Sequence, residues 1–444
     1  MKSEIRLKGV RITNLFGRLS YDIRFDTGTN VAIVIAPNGC GKTTIFKLIN
    51  FIFAPDFAGV QVVRRIPFDK CECLLSNGKS VILTRTGKPG NGVPNDLSVP
   101  VGLSLSVTNG GKSLGKYSYP KILVPRMSQE YLEDFEWRYG EIQYRGDYYD
   151  TRVLAEERRR FEMVISAVEE LLSAHGCKID VNFITADRLH SLRGYSKSLF
   201  PSWRRRGEEC PRDPLSLIQG NIRKLYAEIL DEYNARQQQL KDRLPKMYLE
   251  RSQCKMDFET FRARWTTYVT KIEKFCEIGL IPSSQTILAK SKLKDAYDRK
   301  STFLEVYLEA FEQTLPPLEK HYERLKLFVD ILNRRNQVTN KVLRYGETGL
   351  VMKMDDTPLD LNCLSSGEKN DLIMFYNLVF GSRENGLVLV DEPEISLHIE
   401  WQVEYLDCLL KICEMNRLQS IVATHSPSIV NGHFELYANM DVRK

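Results

Sequence analysis

Apolar and polar positions alternate through the first thirty residues, which is the pattern of antiparallel strands with one buried face. The apolar positions are Ile5, Leu7, Val10, Ile12, Leu19, Tyr21, Ile23 and Phe25. Val31–Ile35 differs because every residue is apolar (VAIVI), which predicts a strand in a parallel sheet covered by helices on both faces. Three later apolar runs, at residues 181–185, 386–390 and 420–424, predict further strands. The pattern therefore predicts an α/β protein.

Helical periodicity dominates the middle of the chain. A charged helix is predicted over about residues 151–175, and apolar residues at steps of three and four predict more helices between 218 and 332. Pro245, Pro282 and Pro316 interrupt these helices, so the sequence argues against one very long coiled coil.

The change in periodicity predicts the domain organisation. Residues 1–150 and 346–444 share the same α/β character, and we expect them to form the two parts of one domain. Residues 151–345 are predicted to be a mainly helical insertion that carries one strand near 181–185.

Composition narrows the class of protein. A chain of 444 residues with 43% hydrophobic residues supports a large core and excludes wholesale disorder. Its net charge of +6 is too small to indicate nucleic-acid binding by itself. No apolar run approaches the ~18 residues of a membrane helix, and no signal peptide is visible. The ten cysteines are scattered, and we expect reduced thiols in a cytoplasmic protein.

A phosphate-binding loop follows the strand Val31–Ile35 directly, with alanine at the first position, where glycine is commoner. Its residues are Ala36, Pro37, Asn38, Gly39, Cys40, Gly41, Lys42, Thr43 and Thr44. Glycines let backbone N–H groups surround a phosphate, and the following helix adds its positive end. Lys42 is predicted to reach the β- and γ-phosphates, and Thr43 to place its hydroxyl on Mg²⁺.

An acidic pair, Asp391 and Glu392, ends the apolar run 386–390. Such a pair at the carboxyl end of a buried strand is a Walker B site. Asp391 is then predicted to hold Mg²⁺ through water, and Glu392 to act as the general base on the attacking water. Alone, this pair is also typical of a helix N-cap.

Two further elements, taken alone, are weaker evidence for a phosphate site. The sequence LSSGE at 364–368 begins a predicted helix and can offer a hydroxyl and free N–H groups to an anion, as can any Ser-capped helix. The residues concerned are Ser365, Ser366, Gly367 and Glu368. His425 follows the run 420–424, where it can face a γ-phosphate, although a histidine at a strand end is more often structural.

The order of these four elements resembles the ABC-type ATPases of the SMC, RecF and OLD (overcoming lysogenisation defect) branch. The resemblance is strong over residues 2–50 and 362–431. It implies an ABC-type P-loop ATPase head with a mixed sheet and a large, mainly helical insertion. It also implies ATP and Mg²⁺ as cofactors and a homodimer or higher homo-oligomer in which LSSGE completes the other subunit's site. By the same resemblance, residues 396–398 form the D-loop and His425 is the switch histidine. No glutamine follows the run 181–185 where the family has its Q-loop, which leaves Gln129 as a candidate.

Two functions remain open at this point. In the first, the chain resembles the ATPase subunits of the prokaryotic antiviral systems PARIS and Septu, which control a separate effector, a TOPRIM-like or HNH-type nuclease, in response to a phage protein or DNA. In the second, it is a RecF/SMC-like DNA-repair ATPase that binds DNA directly, as the basic residues 188–206 allow. We expect no nuclease within this chain, because the sequence after His425 is too short for a TOPRIM domain.

Overall fold

The computed structural model describes residues 5–25, 28–37, 39–86, 102–119, 151–186, 213–251, 256–282, 292–355, 357–395 and 397–442. The chain divides into two compact units. We call Met1–Pro214 together with Ser366–Lys444 the α/β unit, and Leu215–Ser365 the helical unit.

The strands lie in two stretches of the chain, residues 7–184 and 341–442. They are β1 (Leu7–Leu15), β2 (Leu19–Arg24), β3 (Val31–Ile35), β4 (Lys70–Leu75), β5 (Lys79–Thr86), β6 (Gly102–Asn109), β7 (Lys112–Tyr119), β8 (Val181–Ile184), β9 (Lys341–Gly346), β10 (Gly349–Met354), β11 (Thr357–Leu359), β12 (Leu387–Asp391), β13 (Gln419–Thr424) and β14 (Met440–Val442).

The helices are longest in the middle of the chain. They are α1 (Lys42–Phe53), α2 (Phe57–Arg65), α3 (Thr151–Ala174), α4 (Pro214–Glu250), α5 (Phe258–Glu277), α6 (Leu293–Glu312), α7 (Pro316–Arg335), α8 (Ser366–Phe380), α9 (Ile399–Asn416) and α10 (Pro427–Val430), with short 3₁₀ turns at Gln337–Thr339, Leu361–Cys363 and Phe434–Leu436. In the part of the chain that the structure describes, no helix has both the length and the apolarity that crossing a membrane requires.

One sheet of the α/β unit is antiparallel, with strand order β14-β2-β1-β4-β5-β6-β7. Alternating side chains such as Val10 and Ile12 are fully buried, which confirms the predicted antiparallel pairing of the first strands. Helix α1 covers this buried face, where the rings of Phe51 and Tyr119 have centroids 5.3 Å apart. The antiparallel sheet and α1 therefore share one apolar core.

The second sheet of the α/β unit is parallel, with strand order β3-β13-β12-β8. Its strands are the four apolar runs that the sequence singles out, and most of their side chains are buried. Because parallel strands end at a common edge, the segments that follow β3, β13 and β12 lie side by side. This edge carries the candidate site. The α/β prediction is confirmed.

The helical unit buries the aromatic stripe of α5, which includes Phe261, Trp265 and Phe275. The prediction that Pro245 interrupts a helix is wrong, because α4 runs through it to Glu250. A proline removes one backbone hydrogen bond, and here the rest of a long helix supplies the others. Pro316 begins α7, where the absent N–H is not needed.

The bounds of the compact units differ from those of the predicted segments, 1–150, 151–345 and 346–444. Strand β8, which the sequence places in the middle segment, pairs with β12 in the parallel sheet of the α/β unit. Strands β10 and β11, which the sequence places in the segment 346–444, belong to the helical unit instead, where β10 pairs with both β9 and β11. Strand pairing therefore puts the bounds of the two units at other positions than the change in periodicity predicts.

Candidate active site

The predicted phosphate-binding loop follows β3 and leads into α1, in the strand–loop–helix order that the sequence predicts. Gly39 and Gly41 have φ values of 80° and 84°, which favour glycine because other side chains are strained there. A Cβ atom on Gly41 would lie 3.0 Å from the side chains of both Leu15 and Phe16. Glycine at position 41 is therefore required both by its backbone angle and by the close approach of β1 and the residue after it.

Tyr21 supports the loop from the antiparallel sheet. Its hydroxyl donates a hydrogen bond of 3.0 Å to the carbonyl oxygen of Cys40, and its side chain is buried on β2. Burial raises the pKa of the Tyr21 hydroxyl, so it remains a donor at neutral pH. The sequence presents Tyr21 only as one apolar position of an alternating strand, and no local signal shows this contact.

We expect Tyr21→Phe to weaken ATP binding by about fivefold, the equivalent of one hydrogen bond of ~1 kcal/mol. Phenylalanine keeps the buried ring and removes only the bond that holds the Cys40 carbonyl. The measurement is the Kd for a fluorescent ATP analogue, with Tyr117→Phe on β7 as the matched control. An unchanged Kd in Tyr21→Phe would show that the loop keeps its shape without this bond.

Lys42 is almost fully buried, with 6% of its surface exposed. Its ammonium donates to the carbonyl oxygen of Ala36 at 2.6 Å and to that of Pro37 at 3.3 Å. It also lies 2.7 Å from Nε2 of His425. Burial lowers the pKa of Lys42, and the negative charge of Glu392 opposes this shift. Since an ammonium can only donate, the His425 ring nitrogen is the acceptor of this contact.

Thr43 and Asp391 meet across the same edge. The Thr43 hydroxyl donates to Oδ2 of Asp391 at 2.6 Å, and Asp391 is 2% exposed. Burial raises the pKa of the Asp391 carboxyl, while the hydrogen bond from Thr43 lowers it. A hydroxyl and a carboxylate are hard oxygen ligands, and Mg²⁺ commonly takes only one or two protein ligands beside substrate phosphates. This pair fits that requirement, although no group of three or more His, Cys, Asp or Glu in the described ranges could hold a metal ion.

Glu392 stands directly after β12 with a left-handed backbone, at a φ of 45°. Its N–H donates to the carbonyl of Ala423 at 2.8 Å, which joins the ends of β12 and β13. Its Oε1 lies 3.5 Å from Nε2 of His425. A non-glycine residue in this region is strained, and such strain is concentrated at functional sites.

Glu394 and Gln402 each accept a hydrogen bond from the corner at residues 425–426, which follows β13, and no sequence motif gives either of them a role. Oε1 of Glu394 accepts the backbone N–H of His425 at 2.7 Å. Oε1 of Gln402 accepts the Ser426 hydroxyl at 2.6 Å. The position of Glu394 two residues after Glu392 is the one sequence signal that could have drawn attention to it.

The remaining predicted residues lie at the beginnings of two helices. Thr44 lies in the first turn of α1, and Ser365 and Ser366 are exposed at the start of α8, followed by the half-buried Gly367 and Glu368. The boundary between the two compact units falls between Ser365 and Ser366. The role of this segment in a partner's site stays a prediction.

Several predicted features lie outside the described residues. These are Asn38 of the phosphate-binding loop, Ser396 of the D-loop, the Q-loop candidate Gln129, and the basic residues 188–206.

A family model described as an AAA ATPase domain matches residues 156–430, well over half of the chain. This range contains Asp391, Glu392 and His425, and begins after the phosphate-binding loop. The chain is also 29% identical over 205 residues to a retron Ec83 probable ATPase of Escherichia coli. That match covers 39% of this chain and 37% of the relative, so the shared region spans little more than a third of the relative's length.

Two solved structures of SMC heads align with most of the chain. The Smc head domain of Pyrococcus furiosus with an extended coiled coil, bound to the C-terminal domain of ScpA, is 13% identical with a TM-score of 0.38, covering 99% of this chain and 96% of that chain. The SmcHead bound to the C-winged helix domain of ScpA is 11% identical with a TM-score of 0.36, covering 98% and 97%.

Proposed function

Because the chain belongs to the AAA ATPase domain family, we propose that it binds ATP at the edge of its parallel sheet and hydrolyses it to ADP and phosphate. The observation that carries this proposal is the meeting of three strand ends. Lys42 after β3, His425 after β13 and Glu392 after β12 form a chain of neighbours, with 2.7 Å and 3.5 Å between their polar atoms. These are the groups that phosphate binding and water activation require.

Each residue has a defined task in this proposal. Lys42 turns from its carbonyl acceptors to the β- and γ-phosphates, beside the backbone N–H groups of the loop. Thr43 and Asp391 would hold Mg²⁺, which when bound offsets the negative charge of the phosphates. Glu392 accepts a proton from the attacking water, and His425 donates a hydrogen bond toward the γ-phosphate.

We further propose that the chain is the ATPase subunit of a prokaryotic anti-phage defence system and controls a separate effector. The similarity to a retron ATPase supports a defence role. A direct test expresses the chain together with its neighbouring reading frame in a phage-sensitive host. Protection that requires both genes and is lost in Glu392→Gln supports the proposal. Tight, salt-sensitive DNA binding by the isolated chain, without protection, would favour the DNA-repair function instead.

We propose that hydrolysis needs two chains, with residues from LSSGE completing the partner's site. An equal mixture of Lys42→Ala and Ser365→Arg chains should then recover about a quarter of the wild-type rate, because about half of the dimers are mixed and each mixed dimer has one of its two composite sites intact. Phosphate release is measured for each variant alone and for the mixture. The control mixes wild type with a chain carrying both substitutions. Intact composite sites then occur only in dimers of two wild-type chains, about a quarter of all dimers, whereas chains that act alone would give about half of the wild-type rate. Hydrolysis by a monomer, with no rescue in the mixture, would contradict the composite site.

A further inference from the structure

Glu394 bridges two loops of the candidate active site. Its Oε1 accepts the backbone N–H of His425 at 2.7 Å. Its own segment is held by turns, because the N–H of Ile395 donates to Glu392 O at 3.1 Å and that of Leu397 donates to Glu394 O at 3.0 Å. The carboxylate thus connects the turn after β12 to the residue that follows β13.

The backbone of His425 has no strand partner in the parallel sheet to fix it. The pairing of β13 with β3 ends at Thr424 and Ile35, and the pairing with β12 ends at Asp391 and Ala423. The carboxylate of Glu394 takes the place of a further sheet bond. At 2.7 Å this bond lies at the short end of the range for N–H···O hydrogen bonds, and it fixes the position of the His425 backbone.

Gln402 on α9 forms a hydrogen bond with Ser426, the residue after His425. Its amide oxygen accepts the Ser426 hydroxyl at 2.6 Å, and its amide nitrogen donates to Leu397 O at 3.0 Å. Both bonds tie the 425–426 corner to the segment that carries Glu394. The imidazole of His425 therefore has its backbone held on two consecutive residues.

Resting on the proposed function, we propose that Glu394 is a positioning residue that holds the His425 imidazole between Lys42 and Glu392 through the His425 backbone. Its carboxylate acts as a hydrogen-bond acceptor and exchanges no proton during hydrolysis. This distinguishes it from Glu392, two residues earlier, for which the proposed task is proton transfer.

The test measures kcat and KM for ATP in Glu394→Ala and Glu394→Gln. Alanine removes the acceptor, and we expect kcat to fall about 10–100-fold, the effect of a displacement near 1 Å in an active site. KM should change by less than about threefold, because the ground-state contacts of the loop with phosphate remain. Glutamine keeps an acceptor oxygen at the same reach, so its kcat should stay within about threefold of wild type.

A double-mutant cycle separates positioning from a direct role. If Glu394 acts through His425, then Glu394→Ala should lower kcat by less than about threefold when His425 is already alanine. Should Glu394→Ala fail to fold, Glu394→Asp replaces it in the cycle, because its carboxylate is one methylene too short to reach the same N–H. Nucleotide affinity and thermal unfolding confirm that each variant is folded.

The outcomes distinguish this inference from the proposed function. Losses that multiply in the double mutant, or a glutamine variant as slow as the alanine variant, would overturn the positioning role while leaving the ATPase proposal in place. Wild-type turnover in His425→Ala would overturn the proposed task of His425 and this inference with it.

Discussion

Glu392→Gln should bind ATP as well as wild type and hydrolyse it about 10²–10⁴ times more slowly, the usual cost of removing a general base. The substitution preserves the size of the side chain and leaves Asp391 and Thr43 in contact at 2.6 Å. It removes only the carboxylate that can accept a proton from water. The left-handed backbone at position 392 is as accessible to glutamine as to glutamate, so folding should not be the cause of the loss.

Two measurements check this result. Phosphate release gives the rate, and a fluorescent ATP analogue gives the affinity. Glu384→Gln, at an exposed position before β12, is the matched control and should behave as wild type. The Glu392→Gln chain should also accumulate as an ATP-bound dimer in size-exclusion chromatography. Unchanged turnover would move the base elsewhere, with His425 the next candidate.

Lys42→Met should weaken ATP binding by about 10²-fold or more, since it removes two charge-assisted hydrogen bonds to phosphate of about 1.5–3 kcal/mol each. In the wild type, part of the binding free energy from these two bonds is offset, because the Lys42 ammonium must first break its contacts with the carbonyl of Ala36 and the ring of His425. Methionine has a similar unbranched length, so the buried space stays filled.

The measurement is again the affinity for the ATP analogue, now with thermal unfolding beside it. Burial lowers the pKa of Lys42, which means that the folded protein holds this charge at a cost. A large loss of stability is therefore not expected. Lys116→Met, on the exposed side of β7, is the control. Normal affinity in Lys42→Met would contradict phosphate binding by this loop.

The domain organisation shows where periodicity is insufficient. Residues 181–185 are correctly predicted to be a strand, but a run of four or five apolar residues does not say which strand it pairs with. Pairing with β12 places it in the α/β unit, whereas the helices that follow it in the chain belong to the helical unit. Long-range pairing depends on which other strands offer an unpaired edge in the core. The positions of those strands are determined by the whole chain and not by the strand's own residues.

The sequence by itself determined the local parts of the candidate site. A buried strand, two glycines with left-handed angles and a helix beginning at Lys42 are set by residues within a dozen positions of one another, and so is the acidic pair after β12. Local backbone preferences and burial are enough to specify such elements.

Only the tertiary structure decided which of these parts meet. The strand order β3-β13-β12-β8 places β13 between the other two site strands, and this brings His425 within 2.7 Å of Lys42, 383 positions away. The supporting residues also come from other elements: Tyr21 from the antiparallel sheet, 19 positions from Cys40, and Glu394 from the turn after β12, 31 positions from His425. Strand order depends on how all the apolar segments of the chain compete for burial in one core. The sequence pattern of any single segment therefore does not reveal it.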